Sequence, residues 1–224
     1  MSREIPVPFS TIEVNGVLLS GKTQFRRVVK PQPDPSVGCI YHVSRDGVLV
    51  ARGCPYGRSG DHLWVRETWQ AIHVFVDYET GHGEDLEFSA KIPKSNDHSW
   101  WTPVYYASDM QADYHRDDRG FPWRPSVHMP KWASRIKLEV KNTRIERLLA
   151  ITEADAKEEG LSFHNVGGWG SPGNARVGDA TARGAFLQLW DTLHDDENSC
   201  SSNPFVWVVE FKATAIKNGI QRVE

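Results

Sequence analysis

A chain of 224 residues with 39% hydrophobic and 25% charged side chains has the make-up of a folded protein rather than a disordered one, and suits one large domain or a small domain with an insertion. A net charge of −3 excludes a global basic field, so any contact with nucleic acid has to come from a local patch. No apolar stretch is long enough to span a bilayer, and Met1-Ser2-Arg3-Glu4-Ile5-Pro6 lacks the apolar core of a signal peptide; with three widely spaced cysteines, Cys39, Cys54 and Cys200, the expectation is a cytoplasmic protein without a disulfide scaffold.

The first predicted element is a short helix over 10–20, with Ser10 and Glu13 as a capping box and Gly21 as its stop. Gln24 to Val29 reads as extended, and the run from Lys30 to Pro35 stops regular structure. Cys39–Val43 and Val48–Arg52 flank Arg45-Asp46-Gly47, a hairpin signal. Leu63 to Trp69 alternates as a strand, with Leu63, Val65 and Glu67 on one face and Trp64, Arg66 and Thr68 on the other. The stretch 70–130 reads as an insertion in a single domain covering 1–224. Within it, Ile72–Tyr78 and Trp101–Tyr106 are strand-like, Gly81–Glu84 and His115–Gly120 are turns, and the Pro-rich, aromatic run Trp123–Trp132 is an ordered loop.

Strand patterning returns over 135–149, where Ile136, Leu138 and Val140 share a face. Thr152 to Gly160 is a capped helix with a glycine stop. Ser162–Asp179 is Gly-rich and is expected to be mobile, and Ala182–Leu193 is an amphipathic helix. Asn203-Pro204 introduces a last strand, Phe205–Phe211, apolar on both faces and hence central, followed by a frayed tail after Lys212. This order implies α+β: a small curved or barrel-like sheet flanked by helices.

Among the chemistry-bearing residues, the run Gly21-Lys22-Thr23-Gln24-Phe25-Arg26-Arg27 stands out. Three cations beside a turn-forming glycine suit a phosphate, a nucleotide or another anion; the competing reading is a solvated basic turn. Arg26 and Arg27 are binding groups on opposite faces of an extended segment. Glu67, on the apolar face of its strand, needs a cationic partner, with Lys22, Arg26 and Arg27 as candidates, and Arg66 lies on the other face. Trp123, Arg124 and His128 either clasp a nucleobase or lock their loop onto the sheet. Nine tryptophans divide into core candidates (Trp64, Trp69, Trp123, Trp132, Trp190 and Trp207) and stacking candidates (Trp100, Trp101 and Trp169). Cys39 and His42 with Cys54 and His62 assemble a metal site only on paper, since no close ligand pair supports it, and no cofactor is expected.

Four pieces in order carry a resemblance: Gly21-Lys22-Thr23 with Arg27; Gly60-Asp61-x-Leu63-Trp64-Val65-Arg66-Glu67; Ile151-Thr152-Glu153-x-x-Ala156-x-x-Glu159-Gly160; and Val206–Phe211. Over residues 9 to 212 the chain resembles the ASCH domain of the PUA-like superfamily, in the layout found in phages and prophages. The resemblance implies a small PUA-like β-barrel flanked by helices, with the 70–130 segment as an insertion. It also implies a cleft beside the Gly-Lys segment and RNA, nucleotide or modified-nucleoside ligands. Some members of the family are amidohydrolases that deacylate N4-acetylcytidine, and some are reported as ribonucleases. Lys22 matches the catalytic lysine of the amidohydrolase branch and Glu159 its glutamate, but the position of its threonine nucleophile holds Phe25. A phenyl ring cannot attack a carbonyl, and Thr23 carries the nearest hydroxyl.

The first expectation is therefore a protein that binds RNA, single-stranded nucleic acid or a nucleoside in a cleft lined by Lys22, Arg27 and Glu159. The second is a hydrolase of an acylated cytidine or of RNA, with Lys22 and Glu159 as acid and base and water or Thr23 as nucleophile. The third is a phage accessory protein that captures a host protein through its aromatic insertion.

Overall fold

The computed structural model describes residues 2–33, 41–43, 49–51, 53–76, 84–89, 91–94, 101–164, 168–171 and 174–216. The Asp-Gly turn, residues 81–83 of the Gly81–Glu84 turn, Cys39 and Trp100 lie outside them, and Glu84 opens a strand. Thirteen strands and four helices occupy the described residues, a mixed α+β architecture.

The principal sheet has five strands in the order β1 (Glu4–Pro8), β5 (His62–Arg66), β9 (Ile136–Arg147), β13 (Phe205–Ile216) and β2 (Gln24–Val28). Its order ends on two edges, β1 and β2, and among the described residues no sheet closes into a barrel. β13 is interior, as its two apolar faces require, and pairs antiparallel with β2, setting Val208 opposite Arg26 and Glu210 opposite Gln24. Of the tail expected to fray after Lys212, residues 213–216 instead continue β13 to Ile216, where the hydroxyl of Thr214 donates to the Lys137 carbonyl at 3.2 Å, and residues 217–224 lie outside the described residues.

The chain divides into two compact units. The first comprises Met1–Ile5, Asn15–Leu63 and Leu138–Ala213. In it Asp61 fastens the N-terminal strand, which the sequence reading missed: its carboxylate accepts the Arg3 amide at 2.8 Å, the Arg3 guanidinium at 3.0 and 3.2 Å, and the Arg58 amide at 3.1 Å. These two amides, with the Arg3 guanidinium, hold the Asp61 carboxyl down at about 2. The helix α3 (Glu153–Glu158) starts at a capping box in which Thr152 accepts from the Asp155 amide and Asp155 accepts from the Thr152 amide. It stops at Gly160, whose φ of +90° lies in the left-handed region.

Helix α4 (Ala182–Leu193) buries Phe186, Leu189 and Trp190 of the stripe its periodicity predicts, with Ala185 beside them, while Leu193, the fourth expected member, is exposed in the last turn. The segment expected to be mobile instead forms a three-stranded sheet, β10 (Ser162–His164), β11 (Gly168–Ser171) and β12 (Asn174–Asp179). Cross-strand pairing, Phe163 opposite Trp169, supplies the order that glycine content alone did not suggest. β3 (Tyr41–Val43) and β4 (Leu49–Ala51) pair antiparallel as the hairpin signal predicts.

The second unit comprises Pro6–Val14, Trp64–Lys137 and Thr214–Glu224. Its sheet sets β6 (Trp69–Val76) between β7 (Glu84–Phe88) and β8 (Thr102–Tyr105). Trp69, Ala71, Tyr105, Met129 and Ala133 form one apolar cluster, and Ile72, Val104 and Phe121 another. The charged turn expected at His115–Gly120 is one turn of helix, α2 (Arg116–Arg119), because Gly120 accepts the left-handed conformation that ends it.

Helix α1 (Thr11–Leu19) opens on the expected box. The Ser10 amide donates to Glu13 Oε2 at 2.9 Å, and the Glu13 amide donates to Ser10 Oγ at 3.3 Å. Gly21, at φ +64°, turns the chain out of it.

Candidate functional site

Lys22 and Glu159, 137 residues apart in the chain, meet inside the first unit. Lys22 Nζ donates to Glu159 Oε2 and to the Glu159 carbonyl, both at 2.7 Å. Arg26 Nη1 donates to the other carboxylate oxygen, Oε1, also at 2.7 Å. The Lys22 and Glu159 side chains are each 4% exposed.

Local geometry explains this convergence. Lys22, Gln24 and Arg26 have the same parity along an extended segment and therefore point the same way. Gln24 and Arg26 are buried, and so is Phe25 between them on the opposite face, where its ring meets Tyr56 at 5.4 Å and Phe211 at 5.9 Å. Glu159 caps the C-terminal end of α3, so its carboxylate and its carbonyl both reach Lys22. Gly160 and Gly16 leave the room: a Cβ on Gly160 would come within 3.0 Å of Lys22 Cβ and 3.1 Å of the Gly16 Cα.

The pair belongs to a larger polar network on the same face of β2, β13 and β9. Arg26 Nη2 donates to Glu146 Oε1 at 2.7 Å and lies 3.7 Å from Asp155, and its Nη1 also donates to Gln24 Oε1. Gln24 Nε2 donates to Asp155 at 3.3 Å and to Glu158 at 3.2 Å. Arg144 donates to Glu146 at 3.0 Å, to Asp155 at 2.9 Å and to Glu210. Burial pushes the Asp155 carboxyl up, but the Thr152 hydroxyl and amide, Arg26 and Gln24 outweigh it and hold it at about 2. The Arg26 guanidinium stands 5.7 Å from the centre of the Phe186 ring, and its Nε–H has no acceptor among the described residues.

The remaining candidates are placed otherwise. Thr23 is exposed, and its backbone groups are used: its amide donates to the Glu158 carbonyl and its carbonyl accepts from the Phe211 amide. Arg27 lies across β2 from Arg26, with its guanidinium 5.0 Å from the Phe25 ring centre and donating to the Arg26 carbonyl.

Glu67, Arg66, Trp123, Arg124 and His128 belong to the second unit. The partner of Glu67 is none of the three candidates but Arg135, which donates to its two oxygens at 2.8 and 2.7 Å. Arg135 also donates to Ser108 at 2.8 Å and lies 4.1 Å from the Tyr105 ring centre; burial still pushes the Glu67 carboxyl up. Arg66 donates to the Val127 carbonyl. Trp123 is locked by packing, its indole donating to the Ala112 carbonyl and its ring edge-on to Phe121. Arg124 donates to Gln70 and to the Ser89 carbonyl, and His128 is exposed in a 3-10 turn.

Of the stacking tryptophans, Trp101 packs against the Trp69 cluster, while Trp169 lies 5.8 Å from the exposed Phe163, with Lys157 4.9 Å over its ring. Cys54 and Cys200 are free thiols, and among the described residues no group of His, Cys, Asp and Glu forms a metal site.

Gln24, Arg144, Glu146, Asp155, Glu158 and Glu210 went unread as site residues. Parity with Lys22 and Arg26 marks Gln24, the two-residue spacing of Arg144 and Glu146 puts them on one strand face, and Asp155, Glu158 and Glu159 share a helix face. No helix of the described residues is long and apolar enough to cross a membrane. No family model, curated protein or solved structure matches the chain.

Proposed function

We propose that this is an ASCH-type, PUA-like protein that binds a nucleoside or modified nucleobase at the Lys22–Arg26–Glu159 cluster. The observation that carries the reading is the Glu159 carboxylate, 4% exposed and fixed on one oxygen by an ammonium and on the other by a guanidinium. Donors and acceptors alternate along the network within hydrogen-bonding reach of one another, an arrangement suited to the mixed donor–acceptor edge of a heterocycle. The Arg26 Nε–H is a further donor that a ligand carbonyl would satisfy. The motif order from Gly21-Lys22 through Glu159-Gly160 supports the family assignment.

The 2.7 Å contact of Lys22 with Glu159 favours a second reading, hydrolysis of an acylated base, in which the pair moves protons for an attacking water. Phe25 offers no nucleophile, and the Thr23 side chain is exposed. Calorimetric titration of wild type and Glu159→Gln with cytidine, N4-acetylcytidine and a short RNA tests both. Binding of a nucleoside by wild type, lost in a Glu159→Gln variant with unchanged circular dichroism, is the expected result. Equal binding by the two proteins rejects the site. Deacetylation by wild type that stops in the variant puts the hydrolase first.

A further inference from the structure

We propose that Glu158 and Glu210 make the cluster a charge filter, admitting an uncharged nucleoside and turning away its phosphorylated forms. The inference rests on the nucleoside reading for its choice of ligand and reverses the phosphate role that the basic run suggests. The reason is the state of the cations. Lys22 is held by Glu159, Arg26 by Glu159 and Glu146, and Arg144 by Glu146, Asp155 and Glu210. A phosphate would have to displace carboxylates already seated at 2.7 to 3.0 Å and tethered to strand and helix.

Carboxylates also outnumber cations in the network, five (Glu146, Asp155, Glu158, Glu159, Glu210) to three (Lys22, Arg26, Arg144). The surplus lies at its exposed margin. Glu158 is exposed and its hydrogen-bond partner is a neutral amide, that of Gln24, while Glu210 is one-third exposed and shares Arg144 with two other acids. The Asp155 carboxyl is held at about 2, so this member of the network stays charged across the physiological range. Arg27 does not redress it, because its guanidinium lies on the far face of β2 against Phe25. Like charges brought together in this way select against a partner rather than for one.

Two measurements test the filter. Calorimetry compares cytidine with cytidine 5′-monophosphate on wild type, Glu158→Gln and Glu158→Lys. Thermal unfolding with added inorganic pyrophosphate needs no nucleoside. The expected result is a preference of about tenfold or more for cytidine in wild type, narrowed stepwise in the two variants. Pyrophosphate is expected to leave the wild-type melting temperature unchanged and to raise that of Glu158→Lys in a salt-sensitive way. Glu158 is exposed, so both variants should fold, which circular dichroism checks.

A wild type that takes the monophosphate as readily as cytidine, or is stabilised by pyrophosphate, overturns the proposal. A Glu158→Lys variant with no pyrophosphate response also overturns it. Should wild type bind neither cytidine nor its monophosphate, the nucleoside reading falls, and the pyrophosphate comparison still decides the filter.

Discussion

An ammonium and a carboxylate that are each 4% exposed stabilise one another only as a pair, because either one alone would be a desolvated charge. Lys22→Met should therefore cost about 3 kcal/mol in urea unfolding even though Arg26 still holds Glu159, as expected for breaking a buried pair. A loss within a few tenths of a kcal/mol would mean that the pair is solvated. Phe25 obeys different physics. It sits at the threonine position of the amidohydrolase pattern, but its side chain packs with Tyr56 and Phe211 on the face of β2 turned from Glu159. Phe25→Thr should lower stability by about 3 kcal/mol, the cost of emptying a core site, without creating deacetylase activity. Appearance of turnover in that variant would show that the strand face is misassigned. Parity sets Lys22, Gln24 and Arg26 on one side of the strand, so the expected cleft of Lys22, Arg27 and Glu159 fails at Arg27, whose guanidinium lies against Phe25. The Arg135 partner of Glu67 was not legible, because the two lie 68 residues apart and nothing local links them.

Elements whose boundaries depend on neighbouring residues were read well. The boxes at Ser10–Glu13 and Thr152–Asp155, and the left-handed Gly21 and Gly160, are local devices that act whatever the rest of the fold does. Thr152→Ala should cost about 1 kcal/mol by loss of the cap. Gly160→Ala should cost more, since it combines a φ of +90° with a Cβ pressed to 3.0 Å from Lys22 Cβ. It should also weaken binding of the proposed nucleoside by shifting the ammonium, which calorimetric titration checks. Elements that depend on pairing were read less well. β1 shows no signal of its own and follows a residue, Arg3, that is held by the distant Asp61, and the glycine-rich stretch of β10 to β12 shows no period until its strands pair.

At the scale of the molecule, charge couples the fold to pH. Asp61 and Asp155 both have carboxyl pKa values lowered from 3.8 to about 2 by their hydrogen bonds and arginine partners. A carboxyl lowered in the folded state contributes stability that is present above its unfolded value and is lost as pH falls through the folded one. Urea midpoints should accordingly drop between about pH 4 and pH 2, and Asp61→Asn with Asp155→Asn should flatten that limb. An unchanged acid limb in the double variant would assign the loss to other groups.

The chain by itself determined the α+β class and the helix and strand signals at α1, β9, α4 and β13, because periodicity and caps are properties of neighbouring residues, whereas the pairing of Gly21-Lys22 with Glu159-Gly160 was implied by the family resemblance. Tertiary structure alone decided that Arg26 and Arg144 are spent on carboxylates, that Glu67 belongs to Arg135, and that among the described residues the principal sheet stays open at β1 and β2. Ion pairing and strand order are set by which distant segments fold together, and no local pattern encodes that choice.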